Sequence, residues 1–350
     1  MLYDYGKLDF LGLMPCPLRV AFEKKAWKRR EIFERETGQR INGATVSAMN
    51  ARLWEDLLRI ERMEDWPAVV MAPGFGIPYT KAFMERFRDG GCFESILERE
   101  NPLFDRAGLY DPRGLYDIIG VSATVFLVDK TTNPHLRTPE GWMDLGSAHY
   151  ERKVGFRGHE WRGFCETALL SAFIVGGYAL IRDFARSARC CLYPSELARL
   201  STSRREIAPN VSVLAYPMAM AGLKTENTRI VWPKEGAGPG VLTLLTKKDA
   251  PERARAFARS LVRNEYAAFG MGGFYSTCDT KPYGEGDLLR FDWDLAERGG
   301  IPLLLNELNR LMAENADIIR TRPFQNPAQK LAFQRNAAVR AGFAPERSVT

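Results

Sequence analysis

Histidine is scarce in this chain, with three residues at 135, 149 and 159, and the six cysteines at 16, 92, 165, 190, 191 and 278 form no C-x-x-C pair. A structural zinc needs several clustered N or S ligands at short spacings, so none is expected, and no cofactor is expected either. Cys190 and Cys191 are adjacent and poor disulfide partners for each other, which leaves free, mostly buried thiols as the reading. No Cys/His or Ser/His/Asp constellation for nucleophilic catalysis is visible. Repeats, low-complexity segments and nucleic-acid motifs are also missing. The longest apolar run, residues 167–181 within "TALLSAFIVGGYALIRDF", has a Gly pair at its centre and charges at Glu166, Arg182 and Asp183. It falls short of the roughly 18 residues of a membrane span, so it reads as a buried helix and the chain as not membrane-spanning. The start, "MLYDYGKLDFLGLMPCPLR", has no basic segment followed by an apolar core. Two readings follow: a cytoplasmic chain, or one whose leader has been removed.

What is present is a globular composition, 45% apolar and 26% charged, over 350 residues, enough for two core-bearing lobes. The net charge is +6, with basic residues concentrated in "EKKAWKRREIFER", "SARCCLYPSELARLSTSRRE" and the C-terminal tail. Such runs suit an anionic partner, but acidic residues interleave throughout, the pattern of solvated helix faces.

The first third alternates strand and helix. "KLDFLGLM" is an apolar strand, and after Pro15 and Pro17 a helix runs to Gly38. "INGATVSA" and "AVVMAPG" are further strands, followed respectively by helical "MNARLWEDLLRIERME" and "YTKAFMERFRDGG". Three β–loop–α steps predict an α/β fold with helical crossovers between parallel strands. "IIGVSATVFLVDKTT" is unusually long for a strand and runs from one lobe into another. Then come "TPEGWMDL", with an N-cap expected at Thr138 and Trp142 as anchor, strand "KVGFRG", and a helix over 160–186. A helix at 194–203, strand "NVSVLAYPMAMAGL", the extended "TRIVWPKEGAGPGVLTLLTKKD", and helices at 251–269 and 302–320 complete the pattern. Two long extended segments predict two lobes, 1–123 plus 236–350 and 124–235, joined by two hinge crossings with a ligand cleft between them.

In this order, "AVVMAPG", "TPEGWMDL", "KVGF", "LYPSELARL", "VSVLAYPMA" and "VWPKEGAGPGVLTLLTKKDAPERARAFARSLV" resemble a type II periplasmic solute-binding protein of ABC transporters, in the iron/spermidine/thiamine-like branch. The resemblance spans residues 8–325 and implies a two-lobed type II periplasmic-binding-protein-like fold. It also implies capture of a small molecule or ion, an anionic one included, for an ABC permease by a monomer in the periplasm. Paired tyrosines of the ferric-ion binders are not evident, and Tyr193 stands where the family's H-P-A-x-M helix has histidine. Enzymes on the same fold would draw on Cys16 and Cys165, and a cytoplasmic ligand sensor is the third reading.

The candidate ligand contacts sit on four loops and the crossings. In "MPCPL", Pro15 and Pro17 aim Cys16 and helix amides outward, where amides bind anions, or Cys16 is a small buried hydrophobe. In "PGFG", Gly74 and Gly76 let the backbone approach a ligand and Phe75 stacks on it, or Phe75 is core. Ser122 and Thr124 offer hydroxyls at the first crossing, or are ordinary strand residues; Gly158 and His159 lie where a helix is expected to begin, and Arg157 or Arg162 beside them neutralises a ligand carboxylate or phosphate, or is solvated. Tyr216 hydrogen-bonds across the cleft or joins the core. Glu235, with solvent-facing Lys234, is a hinge residue or ligand acceptor at the return crossing.

Overall fold

The computed structural model describes residues 3–14, 16–48, 50–159, 163–263, 274–277, 286–298 and 300–319. The first elements are β1 (Phe10–Met14), α1 (Cys16–Thr37), β2 (Gly43–Ser47), α2 (Ala51–Leu58) and β3 (Val69–Pro73). Then α3 (Lys81–Phe83), which widens into a π-turn at Met84–Arg88, and α4 (Pro102–Arg106) lead to β4 (Asp117–Asp129). Beyond it lie α5 (Trp142–Leu145), β5 (Val154–His159), β6 (Gly163–Phe164), α6 (Glu166–Ser187) and β7 (Ala188–Leu192). Next come α7 (Pro194–Leu200), β8 (Val211–Ala215), α8 (Tyr216–Gly222) and β9 (Thr228–Val231). The chain returns through β10 (Gly238–Thr246) and ends its described part with α9 (Glu252–Arg263), β11 (Phe274–Ser276), α10 (Trp293–Glu297) and α11 (Ile301–Asn315).

Local chemistry sets these boundaries. Gly38 takes φ +70 just past α1, the left-handed exit that glycine makes without a Cβ clash. Asn50 caps α2 by accepting the Leu53 N–H, and Asn101 does the same for Leu103 beside Pro102. β1 is buried on both faces: Phe10 and Met14 meet α1 and α9, while Leu11 and Leu13 join the opposite core. Phe257 of α9 closes the first of these cores edge-on against Phe10 and Phe33.

The strand order is β2-β1-β3-β10-β4-β8-β5-β6, with β11 and β9 also on β4 and β7 on β5. β1 runs parallel to β2 and β3, as the α1 and α2 crossovers require. β4 is the pivot of the sheet. Residues up to Thr124 pair with β10, and those from Thr124 to Asp129 pair with β8 and β9. All thirteen of its residues are buried. β5 lies parallel to β7 and β8.

A further passage, unanticipated in the sequence, joins the two ends of the sheet after β10. Leu288 bridges Ala237, Phe291 stacks on Phe75, and buried Arg88 reaches Asp111 at 2.9 Å and Glu297 at 3.1 Å. Those contacts hold residues 288–297 to the β1–β3 end. α11, only a few residues later, packs instead on α6, with Asn309 accepting the Phe164 N–H at 2.8 Å.

Several local expectations are corrected. Gly141, not Thr138, precedes α5, because Asp144 Oδ2 turns back to the Glu140 and Gly141 N–H groups. The strand "VSVLA" stops at Ala215, and Tyr216 with Pro217 opens α8, where proline at the second position costs no helical bond. Gly158 and His159 belong to a β5–β6 hairpin, and the helix starts later, at Glu166. α6 is not wholly buried. Gly177 leaves helical geometry at φ 60 and ψ −157, and Ile174 and Tyr178 at that elbow are exposed. Among the described residues α6 is the one helix long and apolar enough to cross a membrane, and half of that apolar window is buried within the fold.

Candidate functional site

The loops that follow β1, β2 and β3 leave the sheet at its carboxyl edge, the usual place for ligands in open α/β sheets. Pro15 lies outside the described residues; Cys16 and Pro17 form the first turn of α1, and their side chains lie outside the description. Gly74 takes φ +73, a conformation that costs a side-chain residue strain, whereas Gly76 has an ordinary negative φ. Trp54, on α2, donates its indole N–H to the Ala48 carbonyl at 2.7 Å. Its ring lies 3.8 Å from where a Cβ on Gly76 would sit. Phe75 takes the core alternative in this structure. Its ring is 2% exposed, edge-on to Tyr79 and stacked on Phe291, so only the flanking glycines present this loop outward.

Across from that loop stands the start of α6. Glu166 Oε2 lies 3.2 Å from the position of a Gly74 Cβ, so the two halves of the chain meet at this point. Glu166 is half-buried and makes no hydrogen bond or ion pair among the described residues. The preceding Cys165 is 7% exposed and receives the Arg157 Nε–H at 3.0 Å. Arg162 is outside the described residues, as is the side chain of His159. Gly158 has a packing role, since a Cβ there would come within 2.6 Å of Cys191 Sγ.

Under the first turns of α6, hydroxyls line the crossing strands. Ser122 and Thr124 are 8% and 1% exposed, and neither hydroxyl has a hydrogen-bond partner among the described residues. Opposite them in the ladder are Gly240 and Gly238. A Cβ on Gly238 would overlap Ser171 Oγ, and one on Gly240 would lie 3.3 Å from Thr167 Oγ1. The glycines let α6 sit directly on the strands.

The return crossing is held by side chains. Glu235 Oε2 accepts the Trp142 N–H at 3.0 Å, and the Trp142 indole donates to the Gly236 carbonyl at 2.9 Å. Lys234 is exposed, its ammonium 3.7 Å from Glu140. Tyr216 is half-buried and edge-on to Trp232, whose indole N–H reaches the Asp287 carbonyl at 2.6 Å. Asp117, a strongly perturbed carboxyl, lies away from these residues at the far end of β4. Burial pushes it up to about 6, against hydrogen bonds from the Ser95 hydroxyl and the Ile96 N–H. Among the described residues no three His, Cys, Asp or Glu side chains group to hold a metal ion.

Sequence reasoning missed two residues here. Glu166 was visible only as a charge flanking an apolar run, although an acid just before such a run is a helix-start signal. Trp54 sits in α2 off the face formed by Leu53, Leu57 and Leu58, and a large aromatic off the apolar face is the sign that was available.

This two-ended sheet, with loops from both ends meeting at Gly74 and Glu166, is the frame of a ligand-binding receptor. The family model for bacterial extracellular solute-binding proteins matches residues 64–282, and the chain belongs to that family, whose members capture solutes for ABC-transporter uptake. No curated protein matches the chain. Among solved structures, it is similar to the Trichodesmium IdiA (FutA) protein in complex with iron and citrate, at 15% identity and TM-score 0.59, covering 88% of this chain and 98% of that one. AfuA from Actinobacillus pleuropneumoniae, with fructose-6-phosphate bound, is similar at 15% identity and TM-score 0.53 over 87% and 96% of the two chains. The ferric binding protein from Campylobacter jejuni gives 12% identity and TM-score 0.59 over 88% and 99%. At these identities the likeness is one of fold: two-lobed α/β periplasmic binding proteins.

Proposed function

We propose that this chain is a periplasmic receptor that closes two lobes on a small organic solute and presents it to an ABC permease, without bond chemistry of its own. Lobe one comprises residues up to 123 together with the chain from 236, and lobe two is 124–235; α11 travels with lobe two through its packing on α6. The observation that carries the reading is the approach of Glu166 to Gly74, where the N-terminus of a long helix from one lobe meets the open glycine loop of the other.

The proposed contacts are the Gly74 and Gly76 backbone, the first turns of α1 and α6, Tyr216, and the hydroxyls of Ser122 and Thr124, with Glu235 acting as a hinge clamp. Cys165 is better suited to packing than to attack, since Arg157 occupies its sulfur and it is almost closed to solvent. The test is native mass spectrometry of the purified protein, joined to a thermal-shift panel of sugars, organic anions, amines and metal chelates. A bound mass in the small-solute range, or a ligand-dependent rise in Tm with a decrease in radius of gyration, is expected. A chain that carries nothing, responds to no panel member and turns over a substrate at Cys165 overturns the reading.

A further inference from the structure

α6 is buried toward both of its ends and exposed in its middle. Leu169 and Leu170 before the Gly177 break, and Leu180 and Ile181 after it, are buried. At the break Gly177 takes φ 60 and ψ −157, a region that glycine alone occupies freely, and there Ile174 and Tyr178 are exposed. They are not isolated. Phe173 lies edge-on to Tyr178 at 5.1 Å, Met143 of α5 has its sulfur 2.9 Å from the Cβ position of Gly176, and the Tyr178 hydroxyl donates to Glu307 of α11 at 2.8 Å. Leu303 stands one turn before Glu307 on that helix. Ile174 also borders a depression with Leu170, Leu295 and Ile301. Met143, Ile174, Tyr178 and Leu303, each 37–52% exposed, are half of the large exposed apolar side chains among the described residues, so this surface is gathered and not scattered. Single exposed apolar side chains need no partner, whereas a contiguous group marks a contact surface.

The chain itself supplies an occupant on the same lobe. Arg152 donates to the Asp317 carbonyl, and the Ile319 N–H donates to the Arg189 carbonyl at 2.7 Å, just past the end of α6. From Tyr178 to Ser187 the helix rises about 14 Å and two strand residues add about 7 Å, so the chain leaves residue 319 within roughly 20 Å of the elbow. Residues 320–350, which lie outside the described residues, follow from that point. Six or seven extended residues cross roughly 20 Å, so the segment from about residue 326 onward reaches the elbow. It carries Leu331, Phe333, Val339 and Phe343, and residues 320–350 hold six basic residues against one acid. The apolar side chains suit the elbow, and the exposed Glu307 on its rim is an acceptor for a basic one. A segment tethered this closely is present at an effective concentration on the order of millimolar, which a second copy or a separate chain must exceed to displace it.

We infer that residues 326–343 of this chain cover the elbow of α6, with Leu331 and Phe333 against Ile174, Tyr178 and Leu303. The contact lies wholly on lobe two and is independent of what the cleft binds. Limited trypsin digestion of the full chain with mass spectrometry of the products tests it, because Lys330, Arg335 and Arg340 are cleavage sites inside the segment. Ile174→Asp and Leu303→Asp alter exposed side chains on two different helices. Each is expected to speed cleavage at these sites at least about tenfold, since proteolysis follows the population of the open form. Met220→Asp, at an exposed apolar position of α8, is expected to leave the rate unchanged. In the reverse direction, Leu331→Asp combined with Phe333→Asp should raise hydrogen exchange across residues 173–179 while the amides of β8 keep their protection. Wild-type cleavage as fast as in both elbow variants overturns the assignment, and so does unchanged exchange at 173–179. Equal acceleration by Met220→Asp overturns it as well. A wild-type dimer in sedimentation that Leu303→Asp dissociates would also overturn it, giving the elbow to a second copy of the chain.

Discussion

The two crossings between the lobes are built on different principles. The outgoing one is β4, a single strand of thirteen buried residues whose main chain is laddered to β10 and β11 at one end and to β8 and β9 at the other. The return one, from Val231 to Gly238, has no strand between β9 and β10; isolated main-chain bonds of Lys234 to Glu140 and of Ala237 to Asp287 and Leu289 hold it, together with the side chains of Glu235 and Trp142. A laddered strand resists bending because each ordered residue contributes a hydrogen bond to the neighbours it already has. A loop clamped at Trp142 and Glu235 can pivot at its glycines while the clamp stays closed. Gly236, at φ +113 and packed against the Leu288 main chain, is the position where only glycine fits.

Breaking the clamp at its largest residue should separate these behaviours most. Trp142 is fully buried between Phe126 and Phe184 as well as bonded to Gly236. Trp142→Ala is expected to cost about 3–5 kcal/mol in urea unfolding, the range for deleting a buried aromatic. A cost below about 1 kcal/mol would show that the return crossing does not depend on it. The second perturbation acts where α6 sits on the strands. Gly238→Ala places a methyl onto Ser171 Oγ, so it should cost about 1–3 kcal/mol as overpacking. The double variant with Ser171→Gly should recover much of that. If Ser171→Gly does not rescue, the helix is not seated on this glycine.

A finer cut leaves the core intact. Glu235→Ala removes the acceptor of the Trp142 N–H and should cost about 1–2 kcal/mol, with Glu235→Gln retaining most of the difference because its amide oxygen still accepts. Hydrogen exchange is the sharper readout. The Trp142 amide should lose protection in Glu235→Ala, while amides along β4 keep theirs. Equal loss at both crossings would mean that they open together and the contrast between them is wrong.

How legible was this from the chain alone? The β–loop–α steps of the first third could be read because their period is local: Leu11 and Leu13 against Phe10 and Met14 is a pattern within five residues. The long strand at Gly120 was legible for the same reason, as a break in texture. What could not be read depends on partners far away in sequence. Glu235 lies 93 residues from Trp142, whose N–H it accepts. The passage through Leu288 and Arg88 joins residues that no local pattern links. Whether Phe75 stacks on a ligand or joins the core stayed open in the sequence because its partner, Phe291, is more than two hundred positions away. Glu166 was hidden differently, as a routine helix-start acid whose place against Gly74 depends on a residue 92 positions away.

A last test probes the rigid crossing from its far end. Asp117 opens β4, and burial raises its carboxyl to about 6 from an unfolded value near 3.8. The folded state therefore binds the proton more tightly than the unfolded chain does between those two values. By linkage its contribution is fully present below about pH 4 and is lost as pH rises through about 6. Wild-type urea midpoints should accordingly decline between pH 4 and 6.5 from this group, and Asp117→Asn should flatten that part of the profile. The variant keeps a side-chain oxygen for the Ile96 N–H, so the loop from Ser95 to Leu97 remains tied to the strand. A slope that survives Asp117→Asn unchanged would show that this buried carboxyl does not carry it.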